Sequence, residues 1–78
     1  MKYAVVIEKV PNNYSAYVPD VPGCIATGPT VAETKRLLAE AIELHLESLV
    51  EDGLSIPASE TVTGHVEVHV PLAAAVKS

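Results

Sequence analysis

Apolar and polar residues alternate in the first part of this 78-residue chain and again near its end. Residues 2–9 place Tyr3, Val5 and Ile7 on one face, and a period of two is typical of a half-buried strand. The same reasoning predicts strands over residues 14–20, 24–27 and 61–70. The last of these has an inward row of valines and a polar outward row: Val62, Val66, Val68 and Val70 against Thr61, Thr63, His65, Glu67 and His69.

Proline, glycine and asparagine mark the turns between the first three strands. Residues 10–13 predict a tight hairpin turn, because proline presets φ and asparagine tolerates left-handed geometry. Pro22 and Gly23 occupy the two central positions that a type II turn prefers. We therefore expect a hairpin and then a second tight turn before the third strand.

The period changes to that of a helix after Gly28. Thr30 followed by Glu33 is a capping box, so the helix should begin at Val31. Gly53 suits the left-handed position that ends a helix, with Leu54 folding back in a Schellman motif. The helix is amphipathic, with Val31, Leu37, Leu38, Ala41, Ile42, His45, Leu46 and Leu49 on its apolar side and Glu33, Arg36, Glu40, Glu43, Glu47 and Glu51 opposite.

This order of elements predicts an α+β fold, a two-layer β-β-β-α-β sandwich in which one helix covers one face of a mixed four-stranded sheet. A right-handed crossover puts the fourth strand beside the first, in the order 3-2-1-4. Residues 1–71 then form a single domain and residues 72–78 a short tail. The fourth strand is an open edge, and the face that carries Val6 and Tyr17 has no helix over it, so we expect a homodimer or homotetramer.

Charge and composition exclude several classes of function. The net charge is -5 with only five basic residues, so direct binding to nucleic acid is disfavoured. A basic protein partner remains compatible with this charge. A single cysteine, Cys24, excludes an internal disulfide, and a structural zinc site lacks its ligands. No apolar run approaches the roughly 18 residues of a membrane span. We expect a cytoplasmic protein with no cofactor.

Residues 14–49 resemble the signature of the HicB family of antitoxins. The matching pieces are the aromatic second strand, Pro-Asp-Val-Pro-Gly-Cys at residues 19–24, Gly-Pro-Thr at residues 28–30, and the helix rich in Glu and Ala. The resemblance implies a core like part of the ribonuclease H fold, homo-oligomers, and binding to HicA, a small basic ribonuclease toxin whose active site the antitoxin blocks.

Many HicB antitoxins also carry a C-terminal DNA-binding domain, whereas this sequence ends about eight residues after the predicted fourth strand. We therefore expect no direct DNA binding by this chain. Two functions stay open: an antitoxin core that neutralises a HicA-type toxin, and a free-standing homo-oligomeric binding module without a toxin partner.

Candidate catalytic and metal-binding residues are few. Cys24 has no base nearby in sequence, so a buried small hydrophobic residue is favoured over a reactive thiol. His45 lacks a second ligand one turn later and is expected to pack. His65 and His69 are about 13 Å apart on a strand, too far to share one ion. The first strand has no central carboxylate of the kind that two-metal hydrolysis needs, so we expect no enzyme activity.

Partner-binding residues can be proposed on the acidic side of the helix and at one turn. Glu40, Glu43 and Glu47 lie within about two helical turns and would attract a basic partner. Plain solvent exposure is the alternative for these residues. Asp20 either caps its turn or contacts a partner through an exposed carboxylate.

Overall fold

The computed structural model describes residues 1–71. Its strands are β1 (Val6–Val10), β2 (Asn13–Tyr17) and β3 (Ile25–Gly28), and they are followed by a single helix, α1 (Val31–Glu51). The α+β class and the β-β-β-α order are therefore confirmed. The predicted tail, residues 72–78, lies outside the described residues.

The three strands form an antiparallel sheet in the order β1-β2-β3. β1 pairs with β2 from Val6 opposite Tyr17 to Val10 opposite Asn13. The hairpin turn contains Asn12 at a φ of 68°, as the left-handed tolerance of asparagine suggested. β1 begins later than predicted, since β2 ends at Tyr17 and residues 2–5 have no strand opposite them to pair with.

The turn between β2 and β3 contributes to the core. Gly23 has a φ of 89°, and the Cys24 amide donates to the Val21 carbonyl at 3.4 Å, which agrees with the predicted type II geometry. Val21 and Cys24 are both buried. The prediction of a buried residue is confirmed, and burial raises the pKa of the Cys24 thiol.

The core lies between the sheet and one side of α1. It consists of five buried residues with further apolar side chains packed around them: Ala16, Val18, Val21, Cys24 and Leu38, surrounded by Tyr3, Val5, Ile7, Ala26 and Ile42. The prediction that Tyr3, Val5 and Ile7 share one face is therefore confirmed. Thr34, absent from the predicted apolar side of the helix, is fully buried.

Side-chain and backbone caps define both ends of α1. The Glu33 amide donates to Thr30 Oγ1 at 3.1 Å, which confirms the cap, while the Glu33 carboxylate pairs with Arg36. At the other end Gly53 has a φ of 70°, and the Leu54 amide donates to the Leu49 carbonyl at 2.8 Å. The Leu54–Leu49 hydrogen bond and the left-handed Gly53 are the features of a Schellman motif.

The predicted fourth strand does not form in the single chain. Residues 54–71 contain no strand or helix, and the valines of residues 61–70 are exposed, Val62 to 90% and Val66 to 86%. Alternation makes a strand only when a neighbouring strand bonds to its backbone groups. The mixed four-stranded sheet is therefore corrected to three antiparallel strands, and the likeness to ribonuclease H stays a prediction.

Gly28 lies where β3 meets the start of α1. A Cβ atom at this position would lie 2.8 Å from Thr34 Oγ1 and 3.1 Å from the Thr34 backbone nitrogen. Thr34 cannot move freely, because it is buried and its hydroxyl donates to the Thr30 carbonyl at 2.7 Å. Glycine is therefore required for close contact between strand and helix.

We predict that Gly28→Ala lowers the free energy of unfolding by about 1 to 3 kcal/mol, the usual cost of overpacking. Chemical denaturation monitored by helical circular dichroism measures this. Ser48→Ala, at an exposed position of the helix, is the matched control and should lower stability by less than about 0.5 kcal/mol. Equal stability of the two variants would contradict the role given to Gly28.

Candidate partner-binding site

An apolar groove opens between the N-terminal segment and α1. Its volume is about 320 Å³. The helix packs mainly over β3 and then over β2, so it leaves the start of the chain only partly covered. The lining is apolar except for one lysine and one glutamate: Met1, Tyr3, Val5, Leu38, Ala39, Ile42 and Leu46, with Lys35 and Glu43. The groove offers a surface for apolar side chains from another segment.

The segment after the helix is tied to the start of the chain. The Tyr3 hydroxyl donates to the Pro57 carbonyl at 2.6 Å. Pro57 is half-buried, whereas its neighbours in residues 54–61 are exposed. The hydrogen bond therefore fixes the course of the chain after α1 beside the groove.

Asp20, which lies between β2 and β3, also holds the segment that follows the helix. Its Oδ2 accepts from the amides of Glu60 at 3.0 Å and Thr61 at 2.9 Å, and its Oδ1 accepts from the Thr61 hydroxyl at 2.8 Å. Hydrogen bonds from the Thr61 amide and hydroxyl, together with the Glu60 amide, lower the pKa of Asp20. We call these three bonds the Asp20 clamp. They engage the carboxylate within the chain, while its predicted contact with a partner stays a prediction.

Glu40, Glu43 and Glu47 are exposed on α1, and we call them the acidic face. Arg36 Nη1 donates to Glu40 Oε1 at 2.7 Å, so the charge of Glu40 is partly balanced. Glu43 and Glu47 line a shallow depression that also contains Leu46 and Val50. The acidic face therefore borders apolar surface. Asp20 bonds to residues 60 and 61, so the structure does not join it with the three glutamates in one network.

The sheet face opposite α1 carries a row of apolar side chains. The strand register aligns Val6 with Tyr17 and Tyr17 with Ile25. Tyr17 is 44% exposed and Ile25 65%. Within residues 1–71, the prediction that no helix covers this face is confirmed.

Residues 1–71 show neither a metal site nor a membrane-spanning helix. This part of the chain has no group of three His, Cys, Asp or Glu side chains placed to hold a metal ion. Its helix does not have the length and apolar character needed to cross a membrane.

Most of the chain matches a known protein family. A family described as "HicB_like antitoxin of bacterial toxin-antitoxin system" matches residues 3–71. The chain belongs to the HicB-like antitoxin family. The resemblance seen in residues 14–49 is thereby confirmed.

Relatives of this HicB-like chain occur in a bacteriophage, a bacterium and an archaeon. An uncharacterized 14.9 kDa protein of Haemophilus phage HP1 is 39% identical over 66 residues, which are 85% of this chain and 50% of the phage protein. The chain thus spans half the length of that relative. A UPF0150 protein of Helicobacter pylori is 39% identical, covering 81% of this chain and 89% of its own. A UPF0150 protein of Archaeoglobus fulgidus is 41% identical, and the match covers 82% of this chain and 100% of the archaeal protein.

A solved structure has a similar fold. A chain in the structure titled "HicA3 and HicB3 toxin-antitoxin complex" superimposes with a TM-score of 0.64 at 30% identity, covering 77% of this chain and 70% of that chain. The three-stranded sheet with one helix is therefore consistent with a HicB-like fold.

Sequence reasoning did not find the groove or the Asp20 clamp. Tyr3 and Val5 were predicted to share one face of a strand, and Leu38, Ile42 and Leu46 to lie on the apolar side of the helix, but no local pattern indicated that a groove opens between them. The clamp joins Asp20 to Glu60 and Thr61, which lie 40 and 41 positions later in the chain. No local pattern marks residues so far apart as a pair. The available signal was that Asp20 lies at the end of the predicted second strand, two residues before the proline-glycine turn at residues 22 and 23.

The clamp should respond to acid. Hydrogen bonds lower the folded-state pKa of Asp20, so the stabilisation they give is fully present above the ordinary aspartate pKa of about 3.9 and is lost as pH falls through the lowered pKa. We predict that the NMR amide shifts of Glu60 and Thr61 titrate with a midpoint below about 3.9.

Asp20→Asn should remove this titration and shift both amides at neutral pH, because an amide group has only one acceptor oxygen. Asp52→Asn, at an exposed aspartate beyond the helix, is the matched control and should leave both amides unchanged. A midpoint at or above the ordinary value would contradict the clamp.

Proposed function

We propose that this HicB-like antitoxin binds and neutralises a small basic ribonuclease toxin of the HicA type. The observation that carries the proposal is the similarity, at 30% identity and a TM-score of 0.64, to a chain of a HicA3–HicB3 complex. Family membership over residues 3–71 supports it, and so does the net charge of -5. An acidic chain suits a basic partner.

The acidic face is the proposed first point of contact. Its glutamates are exposed and border the apolar side chains of Leu46 and Val50. Charges at such a boundary raise the encounter rate, while apolar burial beside them holds the complex. Asp20 is a weaker candidate, since the clamp already occupies its carboxylate oxygens.

The chain is proposed to act by binding and not by catalysis, with no cofactor. Glu8 is the acidic residue of β1 and is exposed. Asp20 lies in the turn after β2, with its carboxylate engaged by residues 60 and 61. Neither position supplies the converging carboxylates that two-metal hydrolysis requires.

A free-standing homo-oligomeric binding module is the second candidate function. The apolar row of half-buried Val6 with exposed Tyr17 and Ile25 favours it, because exposed apolar surface tends to be covered by a partner. A homodimer or homotetramer is compatible with both candidates.

The direct test uses the purified chain and a small basic ribonuclease of the HicA type encoded beside it. Adding the chain should reduce RNA cleavage in proportion to the amount added, and the two proteins should co-elute in size-exclusion chromatography. If cleavage continues in excess chain and the proteins elute separately, the antitoxin proposal is wrong and the binding module is favoured.

Neutralising the acidic face should slow association with the toxin. We predict that Glu40→Gln, Glu43→Gln and Glu47→Gln together lower the association rate several-fold at low salt, with a smaller effect on dissociation. The difference should shrink near physiological salt, where screening reaches about 8 Å. Surface plasmon resonance at two salt concentrations measures both rates.

The control variant removes the same number of charges elsewhere, at Glu8, Glu60 and Glu67, which are also exposed. It should slow association less than the helix variant does. Equal rates for the two variants would show that total charge matters and that the acidic face has no special role.

A further inference from the structure

Residues 62–70 form an extended segment, here called the C-terminal arm. All of its residues are exposed, and its valines alternate with polar residues. Val66 and Val68 are 86% and 74% exposed. Alternation at a period of two is the pattern of a strand with one buried face, yet residues 1–71 of the single chain place neither a strand beside the arm nor a surface beneath it.

The arm extends away from the rest of the molecule. The Asp20 clamp and the Tyr3–Pro57 hydrogen bond fix its base. The longest dimension is 56 Å and the radius of gyration is 16.0 Å, against about 11.5 Å for a compact domain of this length. The base is therefore attached while the rest of the arm projects outward.

The body of the molecule has an unfilled place for one strand. In the described part of the chain, β1 lies at the edge of the sheet with β2 as its neighbour on one side, so its other side presents backbone groups that residues 1–71 leave unpaired. The groove of about 320 Å³ lies next to the chain that leads into β1, between Tyr3, Val5 and the helix residue Ile42. An added strand with an apolar face would satisfy the edge and fill the groove.

We propose that two copies of the chain exchange C-terminal arms. Each arm adds as a fourth strand along β1 of the other copy, with its valines in the groove and its histidines and glutamate toward solvent. The lengths agree, since the arm extends about 30 Å at 3.3 Å per residue, as do residues 2–10. Exchange of an identical element satisfies both edges in one closed dimer.

The second copy is the occupant that the structure favours. Because the arm starts at a fixed base and leads away from its own body, another copy can reach both the free arm and the free edge. The chain itself thus supplies the complementary surface, and no other protein is needed. The proposal is independent of toxin binding, so each can fail without the other.

Sedimentation at micromolar concentration tests the exchange with two variants at adjacent positions. Wild type should sediment at twice the 8.2 kDa chain mass. Val68→Lys should sediment at the single-chain mass, because a charge replaces an inward valine. His69→Lys introduces the same side chain on the outward face and should keep the doubled mass. Both residues are exposed in the single chain.

Val68→Ser is a milder variant that guards against misfolding. It should raise the dimer dissociation constant at least tenfold while helical circular dichroism is retained. Wild type at the single-chain mass would overturn the proposal. A doubled mass for Val68→Lys, or a single-chain mass for His69→Lys, would also overturn it, because the association would then not depend on the apolar face of the arm.

Discussion

Thr34 and Leu38 are the residues by which α1 packs against the sheet. Both are buried, and the absence of a side chain at Gly28 allows β3 to approach the first turn of the helix. This contact fixes the helix mainly over β3 and β2. β1 is consequently less covered by the helix, and the groove forms between the helix and the segment that leads into β1.

The remaining features of the molecule follow from the position of the helix, which lies over β3 and β2 more than over β1. The side of β1 away from β2 lacks a neighbouring strand, and apolar residues line the groove beside its N-terminal end. The Asp20 clamp holds the chain after the helix at residues 60 and 61, and the C-terminal arm of valines beyond it is exposed. The acidic face of α1 lies near the same groove, since Glu43 lines it. We infer that surfaces for self-association and for a basic toxin can be close neighbours.

Local sequence patterns predicted the body of the fold well. Thr30 and Gly53 marked the helix ends because capping depends on a few adjacent residues, and the proline-glycine turn placed Val21 and Cys24 correctly. The fourth strand was wrong for the single chain because alternation records only which face of a segment will be buried. It does not say which chain provides the partner.

Long-range contacts were beyond the reach of sequence reasoning. The clamp joins Asp20 to Thr61, and the groove combines the first five residues with the middle of the helix. The family, in contrast, was recognisable from the motif at residues 19–24 together with the helix that follows. The candidate site residues on the helix were found to be exposed, but exposure alone does not identify the surface that a toxin would contact.

Amide hydrogen exchange of the wild-type chain at nanomolar concentration, where association is weakest, tests most directly the claim that the single chain is a three-stranded body with an open edge. β2 is bonded on both sides, so its amides should be the most protected of the sheet. β1 should exchange faster, and residues 62–70 should exchange at the rate of an unstructured peptide. Protection of residues 62–70 equal to that of β2 at this dilution would contradict the account, because the arm would then be a fourth strand of its own chain.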